Sequence, residues 1–303
     1  MFPYTLDNKR YHTLNYFFRN KFNSKVFKVA LNAGFTCPNY QSGGCIYCNH
    51  GSGNHYEDMD LVKQFELVKI PLEKKWPNSK YIAYFQANTN TYAPVQVLKE
   101  KYEQVLHLPN VIGLDIATRS DALSDSVLDY LEELNQKTFL MVELGLQSMH
   151  EATLKWINRG HDLKNFEEAV KKLKQRGIFV VVHIINGLPN ETKEMMIDTV
   201  KYLNSLGIDG IKIHMLYVSK HTPLANIYQT KPFKLLSKEE YVDIVCEQLE
   251  YLDPKIVVMR ITGDPLKEEV IAPTWLLKKF CVLNDIDKEM KKRDIYQGDK
   301  IIP

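Results

Sequence analysis

No uninterrupted apolar stretch in this sequence reaches the roughly twenty residues that a bilayer-spanning helix needs. The opening segment, MFPYTLDNKRYHTLNYFF, lacks the basic-then-apolar plan of a secretory signal. The expected location is therefore the cytoplasm, with no membrane partner. Charge of one sign is not in excess: 39 Lys and Arg stand against 37 Asp and Glu, a net charge of +2. The total gives no strong pull toward nucleic acid, although a local basic patch is not excluded. No low-complexity segment and no flexible linker interrupts the chain. Cysteine is scarce, with five in 303 residues, and three of the five fall between positions 37 and 48. A secreted disulfide framework uses an even number at spread positions, so this pattern excludes one. Clustered thiols in a reducing compartment point to metal binding or redox chemistry.

What the chain does have is a regular alternation. Short apolar runs rich in Val, Ile, Phe and Tyr occupy Val26–Asn32, Tyr81–Gln86, Val111–Ala117, Phe139–Gly145, Ile178–Ile185, Gly210–Tyr217 and Ile256–Ile261. Their length and β-branched content fit buried parallel strands. Between them lie segments of helical period, among them Ser124–Asn135, Asn165–Gln175, Thr192–Ser205 and Ser237–Leu252. Gly177 and Gly207 follow two of these as C-terminal caps do, and Ser237 with Glu240 reads as a capping box. Strands alternating with helices imply βαβ units. The expected fold is α/β, a partial or near-complete parallel (β/α) barrel of about six to seven strands, with a doubly wound open sheet as the alternative. Residues 1–25 read as an N-terminal helical extension, 26–265 as the barrel and 266–303 as a C-terminal helical extension.

In such barrels the chemistry gathers at the C-terminal ends of the strands, and all seven ends here are polar. They carry Thr36-Cys37, Asn88-Thr89-Asn90, Arg119-Ser120-Asp121, Glu143 leading to Gln147-Ser148, His183 leading to Asn186-Gly187, His214 leading to Ser219-Lys220, and Arg260 leading to Asp264. After the first strand, Cys37, Cys45 and Cys48 share one loop, in which Gly43 and Gly44 permit a tight reversal. Thiolates select zinc or iron–sulfur clusters. Structural zinc takes four protein ligands, and three cysteines on a 4Fe–4S cluster leave one iron open. His50 or His55 could complete a zinc site, so the residues alone leave both metals in play.

The segments GFTCPN (34–39), GGCIYCN (43–49), IATRSDAL (116–123), ELGLQS (143–148), NRGHD (158–162), HIINGLPNET (183–192), HMLYVSKHTPLA (214–225) and RITGDP (260–265) carry a resemblance to the radical S-adenosylmethionine (SAM) superfamily. Their closest likeness is to the YtqA/YhcC-like group, related to the radical SAM domain of the Elongator catalytic subunit. The superfamily's usual motif is C-x3-C-x2-C. Here seven residues separate Cys37 from Cys45, a longer gap characteristic of the Elongator-related subgroup and shorter than that group's own.

The resemblance implies a radical SAM barrel holding a 4Fe–4S cluster on Cys37, Cys45 and Cys48. It implies SAM cleavage to a 5′-deoxyadenosyl radical, and an electron donor such as flavodoxin or ferredoxin. It places Tyr47 near the adenine, Gln86 and Asn88 near the SAM amino group, Arg119 on the SAM carboxylate, Glu143 on the ribose or amino group, and the Gly187 backbone against the adenine. Each has a plainer reading, Arg119 as a partner of Asp115 or Asp121 and Gly187 as a turn, while Arg159-Gly160-His161 is either a substrate or SAM loop or a solvated turn. His183, His214 and Arg260 are candidate substrate contacts or satisfied interior groups.

The implied substrate is tRNA, at the C5 side chain of the wobble uridine, where a carboxymethylaminomethyl group becomes aminomethyl. A radical SAM enzyme acting on a small molecule or peptide is the alternative, and a zinc-stabilised non-catalytic nucleic-acid-binding protein the third. Basic runs such as Lys171-Lys172 and Lys291-Lys292-Arg293 can contact phosphates but also suit solvated helix faces. The aromatics Tyr4, Tyr11, Tyr16, Phe17, Phe18 and Phe22 either stack bases or close the barrel. Cys246 and Cys281 lie in helical patterns as packing residues. Replacing both with Ser should leave iron and sulfide per chain unchanged after reconstitution.

Overall fold

The structure is a computed structural model describing residues 2–49, 56 and 59–301. Among the described residues, the strands are β1 (Val26–Leu31), β2 (Lys80–Phe85), β3 (Val111–Thr118), β4 (Phe139–Gln147), β5 (Phe179–Asn186), β6 (Gly210–Met215), β7 (Val218–Ser219), β8 (Val257–Arg260) and β9 (Val270–Ala272). Seven of them form one parallel sheet in the order β1-β2-β3-β4-β5-β6-β8. The helices are α1 (Leu14–Phe22), α2 (Leu61–Lys75), α3 (Val95–Leu106), α4 (Asp125–Lys137), α5 (Glu151–Trp156), α6 (Leu163–Gln175), α7 (Lys193–Ser205), α8 (Pro223–Thr230), α9 (Lys238–Tyr251) and α10 (Lys279–Arg293).

The strand order decides between the two expected architectures. A doubly wound sheet reverses direction part-way, which puts helices on both faces. Here the order never reverses, and right-handed crossovers then stack every connecting helix on the same side. The sheet curls into a half-barrel. All seven apolar runs became its strands, within one or two residues at most ends. The sixth, expected to run to Tyr217, ends at Met215, and β7 follows separately.

The helices form where caps and apolar stripes coincide. Ser124 Oγ caps α4, whose Val127, Leu128, Leu131 and Leu134 are buried. Asp162 caps α6 over buried Phe166, Ala169, Val170 and Leu173. Ser237 and Glu240 close the capping box of α9, satisfying donors that a helix start leaves open. Gly177 and Gly207 sit at φ +66° and +63°, where a side chain would be strained.

Two additions complete the half-barrel. The outer edge of β8 is covered by the N-terminal segment: Val258 N donates to His12 O at 2.8 Å, and Thr13 bridges Val258 in parallel. An edge left open would invite pairing with other chains. Gln297 anchors this segment, accepting from His12 N at 2.7 Å and donating to Asp253 O and Ile256 O. β7 and β9 pair antiparallel beside the C-terminal ends of the barrel strands.

Side chains on alternate strand positions point inward and fall into three layers. At the bottom, Phe18, Val26, Ile82 and Met141 are buried, with Phe17, Phe22, Phe139 and Phe179 packed against them. Helix α1 therefore plugs the barrel floor with its aromatics, which accounts for part of the aromatic N-terminus. The middle layer is charged, and the top layer faces the strand ends. No described helix is long and apolar enough to cross a membrane. Phe18→Ala should destabilise the fold by roughly 3–5 kcal/mol through the cavity it leaves in the floor, read as a lowered denaturant midpoint.

Candidate active site

The loop after β1 carries the three cysteines. Pro38–Ser42 form one 3₁₀ turn, and Gly43 and Gly44, at φ +86° and +72°, turn the chain back. Gly44 N donates to Asn39 O at 2.8 Å, and Cys48 N to Cys45 O at 3.0 Å. None of Cys37, Cys45 and Cys48 is in a disulfide. They line one cavity of about 180 Å³ with Gln86, Asn88, Arg119 and Glu143. A roomier cavity of about 620 Å³ beside Asp121 and Lys172 contains none of the cysteines, so size alone does not locate the chemistry.

The cysteine loop is gripped from outside by Asn158-Arg159-Gly160. Asn158 Nδ2 donates to Ser42 O at 2.8 Å and to Gly44 O at 2.7 Å. Asn39 Nδ2 donates back to Asn158 O at 2.7 Å. Ile46 N donates to Ile157 O at 3.0 Å. Arg159 Nη2 donates to Gly145 O at 2.6 Å, and Nη1 lies 3.6 Å from Cys45 Sγ. Burial alone would push the Cys45 thiol up, but the Arg159 guanidinium, helped by Arg119 and Tyr47, holds it below its ordinary range. The thiolate is the ligating form of cysteine. The segment whose sequence left a turn or a cofactor loop open is thus the clamp that shapes the cysteine loop.

Deeper in the barrel, Glu143 is fully enclosed. Its Oε1 accepts from Lys28 Nζ at 2.7 Å, and its Oε2 from Tyr84 Oη at 2.6 Å and Lys212 Nζ at 2.6 Å. His183 Nε2 lies 2.9 Å from the same oxygen. Lys28 also pairs with Asp115. Burial would raise the Glu143 carboxyl, but Lys212, Lys28 and His183 hold it well below its usual range. Burial and neighbouring Glu143 push Asp115 up to about 7, and burial brings Lys212 down to about 8. The sequence reading singled out Glu143 and His183 but not Lys28, Tyr84 or Lys212. The available signal was parity: a lone charge inside an apolar run, as in Val-Phe-Lys-Val and Gly-Ile-Lys-Ile, sits on the inward face.

The remaining expected residues divide. Arg119 is 4% exposed and holds Asp121 through Nε at 2.8 Å and Nη2 at 2.7 Å. Its Nη1 is buried with no partner among the described residues, so the ion pair and a free donor coexist. Asn88 Oδ1 accepts from Tyr40 Oη at 2.6 Å. Tyr47, Gln86, His183, His214 and Arg260 line both the cysteine cavity and an adjoining one of about 260 Å³. Gly187, at φ +85°, lies elsewhere: a Cβ there would meet Leu236 Cδ1 at 2.9 Å, and the residue lines a separate cavity with Glu240 and Asp243. His50 and His55 lie outside the described residues.

The donor set fits a cluster. Three thiols line one cavity with Arg119, whose Nη1 is buried without a partner among the described residues. In a 4Fe–4S cluster each thiolate takes a different iron, so three thiols around one cavity can hold it and leave one iron open.

Comparison with known proteins agrees. A family model described as the radical SAM superfamily matches residues 32–203, and one described as the radical SAM C-terminal domain matches residues 208–292. The chain is 50% identical to the protein YtqA of Bacillus subtilis, over 98% of this chain and 94% of that one. It is 32% identical to YhcC of Escherichia coli, over 93% and 92% of the two chains. Similarity to Elongator complex protein 3 of Schizosaccharomyces pombe is 29%, over 61% of this chain and 34% of that one. Among solved structures, Elp3 of Methanocaldococcus infernus superposes with a TM-score of 0.69 at 21% identity, over 90% of this chain and 64% of that one. Methylornithine synthase gives 0.55 at 15% identity, over 80% and 67%. At these identities the two structures speak to the fold alone, and they share it.

Gly160→Ala tests the clamp. The residue sits at φ +79°, and a Cβ would fall 2.3 Å from Asn39 Oδ1, so the variant should fold yet bind markedly less iron on reconstitution. Unchanged iron content would show that the clamp does not set the cysteine geometry.

Proposed function

The chain belongs to the radical SAM superfamily, and from that premise we propose that Cys37, Cys45 and Cys48 hold a 4Fe–4S cluster with one iron open to SAM. We propose further that the substrate is tRNA, at the C5 side chain of a wobble uridine. When bound, the cluster and SAM supply a 5′-deoxyadenosyl radical that removes a hydrogen atom from the substrate. The reading of the cofactor site is carried by one observation: Cys37, Cys45 and Cys48 line one cavity at the C-terminal ends of the strands together with Arg119, whose Nη1 is unpartnered among the described residues.

The chain's own residues then have separable tasks. Asp121 takes two guanidinium nitrogens of Arg119, which fixes the plane of the fork and leaves the third nitrogen to receive the SAM carboxylate. Arg159 keeps Cys45 in its ligating form and ties the loop to β4 through Gly145. Tyr47 and Gln86 stand between the cysteine cavity and the adjoining one, the position from which SAM and substrate are both within reach. Glu143 has its oxygens engaged by four protein donors, so its task is to position Lys28, Lys212 and His183 under the cofactor. The enclosed site keeps water from the radical, as such chemistry requires. An external electron donor such as flavodoxin or ferredoxin completes the reading.

In the tRNA reaction, the carboxymethyl portion of a carboxymethylaminomethyl group is lost to leave aminomethyluridine, which a separate methyltransferase takes up. Its support is the chain-wide likeness to the YtqA/YhcC group. Two measurements test these readings. Anaerobic reconstitution with iron and sulfide, then reduction in the presence of SAM, should yield 5′-deoxyadenosine; Cys45→Ala should abolish it. Bound zinc with SAM left intact would sink the cofactor reading. Nucleosides of tRNA from a strain lacking the protein should accumulate carboxymethylaminomethyluridine. An unchanged wobble-uridine profile would remove tRNA as the substrate and leave a small molecule or peptide.

A further inference from the structure

The cavity has two ends of different chemistry. One carries the cysteines with Arg119 and Arg159. The other lies across the barrel, at β6 and β8, and carries His214 and Arg260 above Lys212. Lys212 and Arg260 are register partners on adjacent strands, and His214 is two residues beyond Lys212 on the same face. The His183 and His214 rings stack at 5.8 Å between centroids and 12° between planes. His183 is satisfied by Glu143, but His214 Nε2 is buried without a partner among the described residues. A buried polar atom left unmade costs free energy, so it marks a place where a ligand atom belongs.

Charge balance identifies the ligand. Three cations, Lys28, Lys212 and Arg260, stand against two carboxylates, Asp115 and Glu143, within this part of the interior. Both carboxylates are enclosed, with Lys28 reaching each of them. Lys28 and Lys212 answer these two carboxylates, and Arg260 is the cation that pairs with neither of them. In the free protein a resident carboxylate meets it: Asp264 Oδ2 accepts from Arg260 Nη2 at 3.1 Å. That pair is dispensable to Asp264, which also holds Lys279 Nζ at 2.8 Å. Arg260 and Asp264 are both part-exposed, at 32% and 48%, and exposed pairs of this kind hold weakly.

We infer that Arg260 and His214 form a subsite for a carboxylate carried by the substrate, which takes the place of Asp264 on the Arg260 fork and accepts a further hydrogen bond from His214 Nε2. Burial, with neighbouring His183, Arg260 and Lys212, keeps the His214 ring neutral, so it adds no second charge, and in the tautomer protonated at Nε2 it donates to the ligand. A ligand carboxylate exchanges one for one with Asp264 on the Arg260 fork, whereas a doubly charged phosphate would bring an extra negative charge. The subsite lies beyond Tyr47 and Gln86 from Arg119, so the SAM carboxylate and the substrate carboxylate have separate guanidinium partners. The inference builds on the radical SAM reading of the cavity and specifies its substrate as a carboxylate-bearing group; it does not require that group to be on tRNA.

The experiment reads the His214 ring by NMR in protein with isotope-labelled histidine, its signal identified by its loss in His214→Gln. The probes are acetate, inorganic phosphate and methylamine. Acetate should shift the signal saturably, phosphate should bind more weakly, and methylamine should leave it unmoved. Arg260→Gln should weaken the acetate response by at least about tenfold. In the reconstituted holoenzyme saturated with SAM, the acetate response should persist. The inference is overturned by no response to acetate, by an equal response in Arg260→Gln, by tighter binding of phosphate, or by loss of the response when SAM is bound, which would make the site SAM's own. An unchanged tRNA nucleoside profile would leave this result standing, and a failed acetate titration would leave the tRNA reading standing.

Discussion

A single enclosed carboxylate, Glu143 on β4, holds the barrel interior together. It accepts from Lys28 on β1, Tyr84 on β2 and Lys212 on β6, and pairs with His183 on β5, so five strands meet at one group. Strands β1 and β6 stand far apart in the sheet order, and both can reach Glu143 only if the sheet curls. The half-barrel has no β1–β8 ladder to close it, and the buried ion network supplies part of the closure that hydrogen-bonded strands provide in a complete barrel. Such a network is costly unless fully satisfied. That cost ties the curvature of the sheet to the identity of a few residues, where an apolar interior would tolerate several packings.

The layers above and below follow from this constraint. Beneath Glu143 the interior is aromatic and dry, plugged by α1. Above it, the strand ends carry groups that still have hydrogen-bonding capacity: Arg119 Nη1 and His214 Nε2. The contrast is physical. In the middle layer Glu143 has both oxygens engaged by its neighbours and so stabilises shape. The groups at the mouth keep a valence in reserve and so can bind. The cysteine loop adds a third device, in which Asn158 and Arg159, carried on the β4-to-β5 connection, fix a loop that follows β1. The cofactor residues and their support thus come from distant parts of the chain.

Much of this was legible without coordinates. The seven strands announced themselves through short β-branched runs, and α4, α6, α7 and α9 through apolar stripes with caps, because both signals are local and periodic. The gathering of Cys37, Cys45 and Cys48 on one loop after the first strand was legible from their spacing. Strands β7 and β9, of two and three residues, carry no period to read and exist through their pairing across more than fifty residues of sequence. Lys28 and Lys212 were passed over because lysine reads as a surface residue unless the face of its strand is counted. Arg159 was left open between a turn and a ligand contact, since nothing local shows that Gly145 and Cys45 lie beside it. Gly187, expected near the adenine, lines another cavity, because a turn's sequence fixes its backbone and not its neighbours.

The sequence by itself determined the class of fold, the order of its elements and the thiol chemistry, since these depend on residues close together along the chain. Only the tertiary structure decided which polar groups spend their hydrogen bonds on one another and which remain available. That division depends on distances between strands, and curvature sets those distances. It makes Glu143 a structural hub, leaves Arg119 one nitrogen short of satisfied, and turns three cysteines on a loop into one wall of a cavity.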